Sequence, residues 1–170
     1  MGGTSVKGRI VAVCGVKNSG KTTLLEGIVT ELAGRGMKVA VIKHDGHDFA
    51  CDIPGTDSYK LKEAGAYGTA VFSDSRIFLH KTGTKDKEQE ALQMFPEADV
   101  ILIEGMKESA YPKIEVIREG ISECPVSNPE GRFLIVTDKD EALFQEPAVG
   151  FGETGEIAER IVRILGGWNR

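Results

Sequence analysis

Apolar residues occur along the chain in short blocks that predict buried β-strands separated by helices and loops. Runs of β-branched and other apolar side chains, as in Ile10–Val13, are typical of strands that are covered on both faces of a sheet. We predict strands over five segments: Arg9–Cys14, Lys38–Lys43, Asp99–Ile103, Lys113–Ile117 and Phe133–Val136.

Apolar residues also recur at helical spacing, first after the first strand and again near the C-terminus. The periodicity predicts a long helix over Thr22–Ala33 and a closing helix over Ile157–Leu165 that Gly166-Gly167 ends. Two shorter helices are predicted from capping residues and breakers: one capped by Asp57 or Ser58 and ending near Gly65, and one over Asp86–Phe95.

The alternation of strands and helices predicts an α/β fold with a mostly parallel sheet and helices on both faces. Residues 69–73 and 76–81 predict a small β-hairpin extension, because Asp74-Ser75 between them suits a turn. A chain of 170 residues with no repeat or linker predicts a single domain over residues 1–170.

Composition narrows the class of protein. A hydrophobic fraction of 41% argues against disorder, although 21 residues are glycine, because so apolar a chain buries enough surface to offset its ordering entropy. The net charge of −5 without a basic block predicts no binding to nucleic acid. No apolar run approaches the ~18 residues of a membrane span, and three isolated cysteines fit a reducing compartment. We therefore expect a cytoplasmic protein that does not bind membranes.

A phosphate-binding motif follows the first predicted strand. The segment Gly15–Thr22 (GVKNSGKT) matches G-x-x-x-x-G-K-[ST] in full and lies between a strand and a helix, which is the context that the motif requires. Lys21 is expected to reach the β- and γ-phosphates and to stabilise charge during catalysis, and the Thr22 hydroxyl to ligate Mg²⁺. The predicted nucleotide-binding residues are Gly15, Lys17, Asn18, Ser19, Gly20, Lys21, Thr22 and Thr23.

A second acidic group is needed to hold Mg²⁺ in such a site, normally at the end of a neighbouring buried strand. Glu104 stands at that position, directly after the apolar run Val100–Ile103. Asp45, just after the second predicted strand, is a rival or additional magnesium contact.

Two alternatives are compatible with a phosphate-binding loop. The loop with His44, His47 and Cys51 carries imidazole and thiolate ligands that suit Zn²⁺ or Ni²⁺, as in a metallochaperone GTPase of the nickel-insertion type. A small-molecule kinase would require an arginine-rich lid, and the arginines of this chain do not cluster.

Taken together, these motifs resemble the molybdopterin-guanine dinucleotide biosynthesis protein B (MobB) family of P-loop GTP-binding proteins. Residues 8–118 are the best-matched part and residues 119–170 are weakly matched. The resembling segments are Val13–Leu25, Val41–Asp52, Pro54–Ala66, Val100–Lys107 and Lys113–Arg118.

The resemblance implies a SIMIBI-type P-loop NTPase fold, a homodimer, and binding of GTP with Mg²⁺ with at most slow hydrolysis. It implies an accessory role in molybdenum cofactor maturation, in which the protein assists the guanylyltransferase that attaches GMP to molybdopterin, with molybdopterin itself as a further ligand. On this reading Glu104 is the Walker B acid, and four residues belong to segments facing the site: Lys43, His44, Asp57 and Ser58.

The residue that recognises the base is harder to locate. GTP-binding proteins commonly use Asn-Lys-x-Asp after a late strand, and the nearest match is Thr137–Asp140 (TDKD). Asp140 is the base-reading candidate, whereas Thr137 and Asp138 depart from the pattern. The preference for GTP over ATP therefore rests on the family resemblance.

Overall fold

The computed structural model describes residues 6–83 and 85–166, which form an α/β fold. The strands are β1 (Ile10–Cys14), β2 (Val39–Lys43), β3 (Gly68–Phe72), β4 (Ile77–Lys81), β5 (Val100–Glu104), β6 (Lys113–Ile117), β7 (Arg132–Thr137) and β8 (Ala148–Val149). The helices are α1 (Lys21–Gly34), α2 (Asp57–Glu63), α3 (Lys87–Gln93) and α4 (Thr154–Ile164), and short 3-10 turns cover Val6–Arg9 and Glu141–Leu143.

Six strands form one sheet in the order β2-β5-β1-β6-β7-β8, and every neighbouring pair is parallel. The predicted parallel α/β fold is therefore confirmed. Strand β1 lies near the centre, between β5 and β6. Loops that follow parallel strands emerge at the same edge of the sheet, so the loop after β1 has the loops after β5 and β6 as its neighbours. The two-residue strand β8 was not predicted.

Strands β1, β5 and β6 are buried because both faces of the sheet are covered there. Helices α1 and α4 pack on one face through an apolar cluster that includes Leu25, Ile28 and Ile161. On the other face, Leu92 of α3 packs with Ile10 and other strand residues. The helix α4 ends before Gly166, which has a φ of 90°, and Gly167 lies outside the described residues.

Residues 45–91 form a compact unit of their own, and residues 6–44 and 92–166 form the other. The smaller unit contains α2 and the antiparallel hairpin β3–β4, in which Val71 pairs with Phe78 and Phe72 with Ile77. The predicted hairpin is therefore confirmed, while the prediction of a single domain stays a prediction. The predicted cap of α2 is wrong: Thr56 is the N-cap, and its side chain accepts a hydrogen bond from the Tyr59 N–H.

Candidate functional site

The phosphate-binding motif forms the connection between β1 and α1. Its backbone takes conformations that side chains disfavour, with a φ of 141° at Gly15 and 95° at Gly20. A Cβ at Gly15 would lie 2.6 Å from the Val116 carbonyl oxygen, closer than real contacts allow. Glycine at this position therefore lets the loop pack directly against β6.

The end of the loop presents donors for an anion. Gly20 is the N-cap of α1 and provides no side-chain hydrogen bond, so the first N–H groups of the helix remain available to a ligand. Lys21, the first residue of α1, donates from Nζ to the Val16 carbonyl oxygen at 2.6 Å, which places its charge over the loop. The Ser19 hydroxyl is buried and makes no hydrogen bond to a described residue.

Two oxygen ligands lie side by side next to this loop. The Thr22 hydroxyl donates to Oε2 of Glu104 at 3.0 Å, because the parallel register pairs Val13 of β1 with Glu104 of β5. Lys43 of β2, opposite Glu104 in the register, places Nζ 3.8 Å from Oε1. A hydroxyl and a carboxylate are the oxygen ligands that Mg²⁺ prefers, so the donor set fits the metal that the motif implies.

The segment after Glu104 is tied to β1 and to the end of β2. The Gly105 N–H donates to the Val13 carbonyl oxygen, and the His44 N–H to the Glu104 carbonyl oxygen, both at 2.9 Å. A Cβ at Gly105, where φ is 111°, would lie 3.1 Å from the His44 carbonyl oxygen. His44 is thereby fixed through its backbone beside Glu104, and its side chain is exposed.

Three other predicted site residues lie in the unit formed by residues 45–91. Asp45 is exposed and accepts a hydrogen bond from the His47 N–H at 3.2 Å. Asp57 is almost fully exposed and pairs with Lys60, whereas the Ser58 hydroxyl donates to Oδ1 of Asp52 at 3.1 Å. Each of these residues thus makes a local contact within its own unit.

The metal-binding alternative is not favoured. Across the part of the chain that the structure describes, no group of three or more His, Cys, Asp or Glu side chains is arranged to hold a metal ion. His44, His47 and Cys51 are all exposed, and the hypothesis of a nickel-insertion GTPase receives no support from their placement.

Asp140, the residue predicted to recognise the base, makes a hydrogen bond with the backbone of its own loop. Its carboxylate accepts a hydrogen bond from the Ala142 N–H at 3.0 Å and caps the short 3-10 turn that follows β7. Lys139 pairs with Glu123 at 2.9 Å.

Asp138, two residues earlier, makes a different set of contacts. Its Oδ1 accepts from the Glu119 N–H at 2.7 Å, and its Oδ2 lies 3.5 Å from Nε of Arg118. The Glu119 N–H and the Arg118 charge hold the pKa of Asp138 below its ordinary value. Arg118 in turn lies over the ring of Phe151.

In the sequence, Arg118 only ends a family-like segment and Asp138 only marks a departure from the base-recognition motif, and neither they nor Phe151 were predicted as site residues. The signal that could have found the first two is their position, since each directly follows a buried strand whose end faces the same edge of the sheet as the phosphate-binding loop. Phe151 follows the short β8, which the sequence did not predict.

Charged residues are also buried in the sheet itself. Lys113 on β6 is fully buried and donates from Nζ to the carbonyl oxygens of Asn128 and Glu130; burial lowers the pKa of Lys113. Arg132, its partner on β7, donates to the Ser127 carbonyl oxygen at 2.9 Å. Two cations therefore bind the carbonyl groups of one segment, residues 127–130.

Cys14 and Glu115 are neighbours on β1 and β6. The Cys14 thiol donates to the Gly105 carbonyl oxygen at 3.0 Å, and burial, with the nearby Glu115 carboxylate, raises the pKa of Cys14 to about 12. Glu115 accepts a hydrogen bond from the Val126 N–H at 2.9 Å. Cys14 is therefore a protonated thiol that acts as a structural donor.

The parallel sheet, the phosphate-binding loop after β1 and the acid at the end of β5 define an α/β fold of the P-loop NTPase type. Comparison with known sequences makes the assignment narrower: residues 10–138 match the family MobB, described as Molybdopterin guanine dinucleotide synthesis protein B. The chain belongs to the MobB family. The predicted family resemblance is confirmed.

Individual relatives agree with this assignment. The chain is 36% identical over 140 residues to the molybdopterin-guanine dinucleotide biosynthesis adapter protein of Escherichia coli, with 79% of each chain covered. The crystal structure of MobB from Bacillus subtilis has a TM-score of 0.72 and 26% identity, covering 94% of this chain and 99% of that one. A MobB homologue from Bacillus stearothermophilus has the same fold, with a TM-score of 0.65, 21% identity, and 92% and 97% coverage.

The described residues also contain no helix that is both long and apolar enough to cross a membrane.

Proposed function

We propose that this chain is a GTP-binding adapter in the formation of molybdopterin guanine dinucleotide, acting beside the guanylyltransferase that attaches GMP to molybdopterin. Membership of the MobB family supports the pathway, and the E. coli relative carries the name of an adapter in it. The observation that carries the nucleotide-binding part is the hydrogen bond between Thr22 and Glu104 at 3.0 Å, beside the N-terminus of α1.

The phosphates lie on the loop, where their charge meets the N-terminus of α1 and the Lys21 ammonium. Thr22 and Glu104 would hold Mg²⁺, which would neutralise charge on the terminal phosphates of the nucleotide. Lys43, 3.8 Å from Glu104, limits the negative charge at the metal position. His44 lies next to this group through its backbone and is available to a substrate or phosphate oxygen.

Hydrolysis is slow in this proposal. Fast P-loop GTPases need a residue that orients the attacking water and an arginine that stabilises the transition state. The arginine found beside the loop, Arg118, follows β6, on the side of β1 opposite to Glu104 on β5. The protein is therefore proposed to act through its nucleotide-bound form and its partner rather than through rapid turnover.

Nucleotide titration tests the phosphate site. In Lys21→Ala, the loss of a charged contact to two phosphates is expected to weaken GTP binding on the order of 100-fold. Lys38→Ala is the matched control, because Lys38 is exposed and directly precedes β2, at the opposite edge of the parallel sheet. Equal affinity of wild type and Lys21→Ala for GTP would contradict the assignment of the loop.

Reconstitution tests the adapter role. The protein is added to a purified guanylyltransferase with molybdopterin, GTP and Mg²⁺, and the yield of molybdopterin guanine dinucleotide is measured. Wild type is expected to raise the yield and Lys21→Ala to raise it less. An unchanged yield with wild type, in a reaction that the transferase alone carries out, contradicts the adapter role.

A homodimer is the proposed assembly. The family resemblance implies it, and the hairpin supports it by exposing an apolar face to solvent: Ala70, Phe72, Ile77 and Leu79. Large exposed apolar patches mark protein–protein contacts, and a two-stranded hairpin is only marginally stable by itself. A second copy of the chain is the occupant that the proposal assigns to this face.

A further inference from the structure

Arg118 lies beside the phosphate-binding loop, on the side away from Glu104. A Cβ at Gly20 would be 3.1 Å from Nη1 of Arg118 and 3.5 Å from the ring of Phe151. The guanidinium carbon lies 4.9 Å from the centre of that ring. Gly20 therefore contacts a flat guanidinium that is stacked on an aromatic ring.

The order of the strands indicates on which side of β1 the phosphates and the nucleoside of a bound nucleotide would lie. Glu104 ends β5, on one side of β1, whereas Arg118, Asp138 and Phe151 follow β6, β7 and β8 on the other side. Glu104 and Thr22 would hold the Mg²⁺ that neutralises charge on the terminal phosphates, so the γ-phosphate of a bound nucleotide would lie on the Glu104 side. The nucleoside then extends across the loop toward Arg118.

The chemistry of this cluster suits a neutral ligand better than a phosphate. Asp138 lies beside the guanidinium, with Oδ2 3.5 Å from Nε, and its low pKa keeps it charged. A carboxylate beside the guanidinium repels a phosphate that approaches it, whereas a neutral base with acceptor atoms avoids the repulsion. About two-fifths of the side-chain surface of both residues is exposed, so a ligand can reach them.

The N–H donors of Arg118 that are not engaged within the protein determine which base it can recognise. Nε lies 3.5 Å from Oδ2 of Asp138, and neither terminal NH₂ group donates a hydrogen bond to another residue that the structure describes. A guanidinium edge donates two parallel hydrogen bonds to guanine O6 and N7, whereas adenine presents an amino group in place of O6.

We propose that Arg118, held between Asp138 and Phe151 beside Gly20, recognises the guanine base through O6 and N7. Arg118 is the residue that contacts the base. Asp138 and Phe151 are positioning residues that hold the guanidinium in place. This inference rests on the proposed nucleotide binding at Gly15–Thr23. Because Thr137–Asp140 departs from the usual base-recognition motif, the residue that recognises the base was not identified from the sequence, and Arg118 is proposed for that role.

Binding of four ligands tests the inference: GTP, ITP, ATP and inorganic tripolyphosphate, each with Mg²⁺. Wild type is expected to bind GTP and ITP alike and ATP more weakly, because hypoxanthine keeps O6 and N7. Arg118→Ala is expected to weaken GTP and ITP binding about tenfold or more, with ATP and tripolyphosphate binding unchanged. Arg163→Ala, which removes an exposed arginine paired with Glu159 on α4, is the matched control.

Two further variants distinguish a loss of base recognition from a loss of folded structure. Arg118→Lys keeps the charge but not the planar pair of donors, and it is expected to lose selectivity as Arg118→Ala does, at an unchanged Tm. Asp138→Asn is expected to lower the ratio of GTP to ATP affinity by a smaller factor, with a small decrease in Tm because the charge that pairs with Arg118 is lost.

Several outcomes overturn the inference. Loss of tripolyphosphate binding in Arg118→Ala would make Arg118 a phosphate ligand, and an equal loss of GTP and ATP binding would exclude recognition of O6. Wild-type affinity in Arg118→Lys, or equal binding of GTP and ATP by wild type, overturns base recognition and leaves the phosphate site standing. Failure of wild type to bind any nucleotide overturns the proposed function and this inference together.

Discussion

Strands β1 and β4 are each five residues long and rich in apolar side chains, yet they differ in burial. All five side chains of β1 are buried, because α1 covers one face of the sheet and Leu92 the other. In the hairpin, Ile77 of β4 is 75% exposed and its cross-strand neighbour Phe72 is 81% exposed.

The difference shows that an apolar strand pattern predicts that a face of the strand is covered, but it does not identify the element that covers it. In the six-stranded sheet the cover comes from the same chain, through helices that follow the strands. The hairpin has two strands only, so within the described unit of residues 45–91 one face remains apolar and exposed. This is why we assign the first region to folding and the second to association.

The largest effect on stability is expected from a leucine-to-alanine substitution, which we compare in the two regions. Leu102→Ala in β5, a fully buried position, is expected to lower the free energy of unfolding by about 3 to 4 kcal/mol because it leaves a cavity. Leu79→Ala in β4, where the side chain is 46% exposed, is expected to cost less than about 1 kcal/mol. Urea denaturation monitored by circular dichroism measures both, and similar losses would remove the distinction between the regions.

A smaller effect is expected from the buried charge in the sheet. Lys113→Met leaves the carbonyl oxygens of Asn128 and Glu130 without their donor, which we expect to cost about 2 kcal/mol of unfolding free energy. Lys38→Met, at an exposed lysine, is the control and should change it by less than about 0.5 kcal/mol. Unchanged stability in Lys113→Met would contradict a net stabilising contribution of the ammonium at these carbonyl groups.

The smallest effect on stability belongs to the hairpin face. Phe72→Ser is expected to change the free energy of unfolding, measured at low protein concentration, by less than about 0.5 kcal/mol, and to weaken the dimer in sedimentation velocity. Phe49→Ser, at a residue that is 70% exposed outside the hairpin, should leave the dimer intact. Two variants with the same sedimentation behaviour would argue against the hairpin as the contact surface.

Much of the fold follows from local pattern. The bounds of β6 were predicted correctly, and those of β1, β2 and β5 to within one residue at either end. Strands β1 and β5 are apolar at almost every position because they are buried on both faces, whereas β6 carries Lys113 and Glu115 between its apolar residues. The two-residue β8 has too few residues to show a period. The cap of α2 was misplaced because Thr56, Asp57 and Ser58 are all good capping residues, and only the backbone conformation distinguishes them.

The candidate site divides in the same way. Its proposed phosphate-binding half is contiguous in sequence, so Gly15–Thr22 could be recognised as a motif from the sequence alone. Its proposed base-binding half joins Arg118, Asp138 and Phe151, which are far apart in the chain and meet only because their strands are parallel neighbours. A single residue after each of three strands forms no motif, so the contact between them is visible only in the folded chain.

The hydrogen bonds from Lys113 and Arg132 to the carbonyl oxygens of residues 127–130 determine what holds that segment in its conformation. Backbone carbonyl groups are among the ligands that hold Ca²⁺ in proteins, but here the positive charges that they contact are covalently part of the chain. A cation that cannot dissociate has no binding equilibrium, so chelators and changes in dissolved ions leave the segment intact. The end of the loop that runs from β6 to β7 is thereby fixed by charges of the chain itself, with no bound ion needed to hold it.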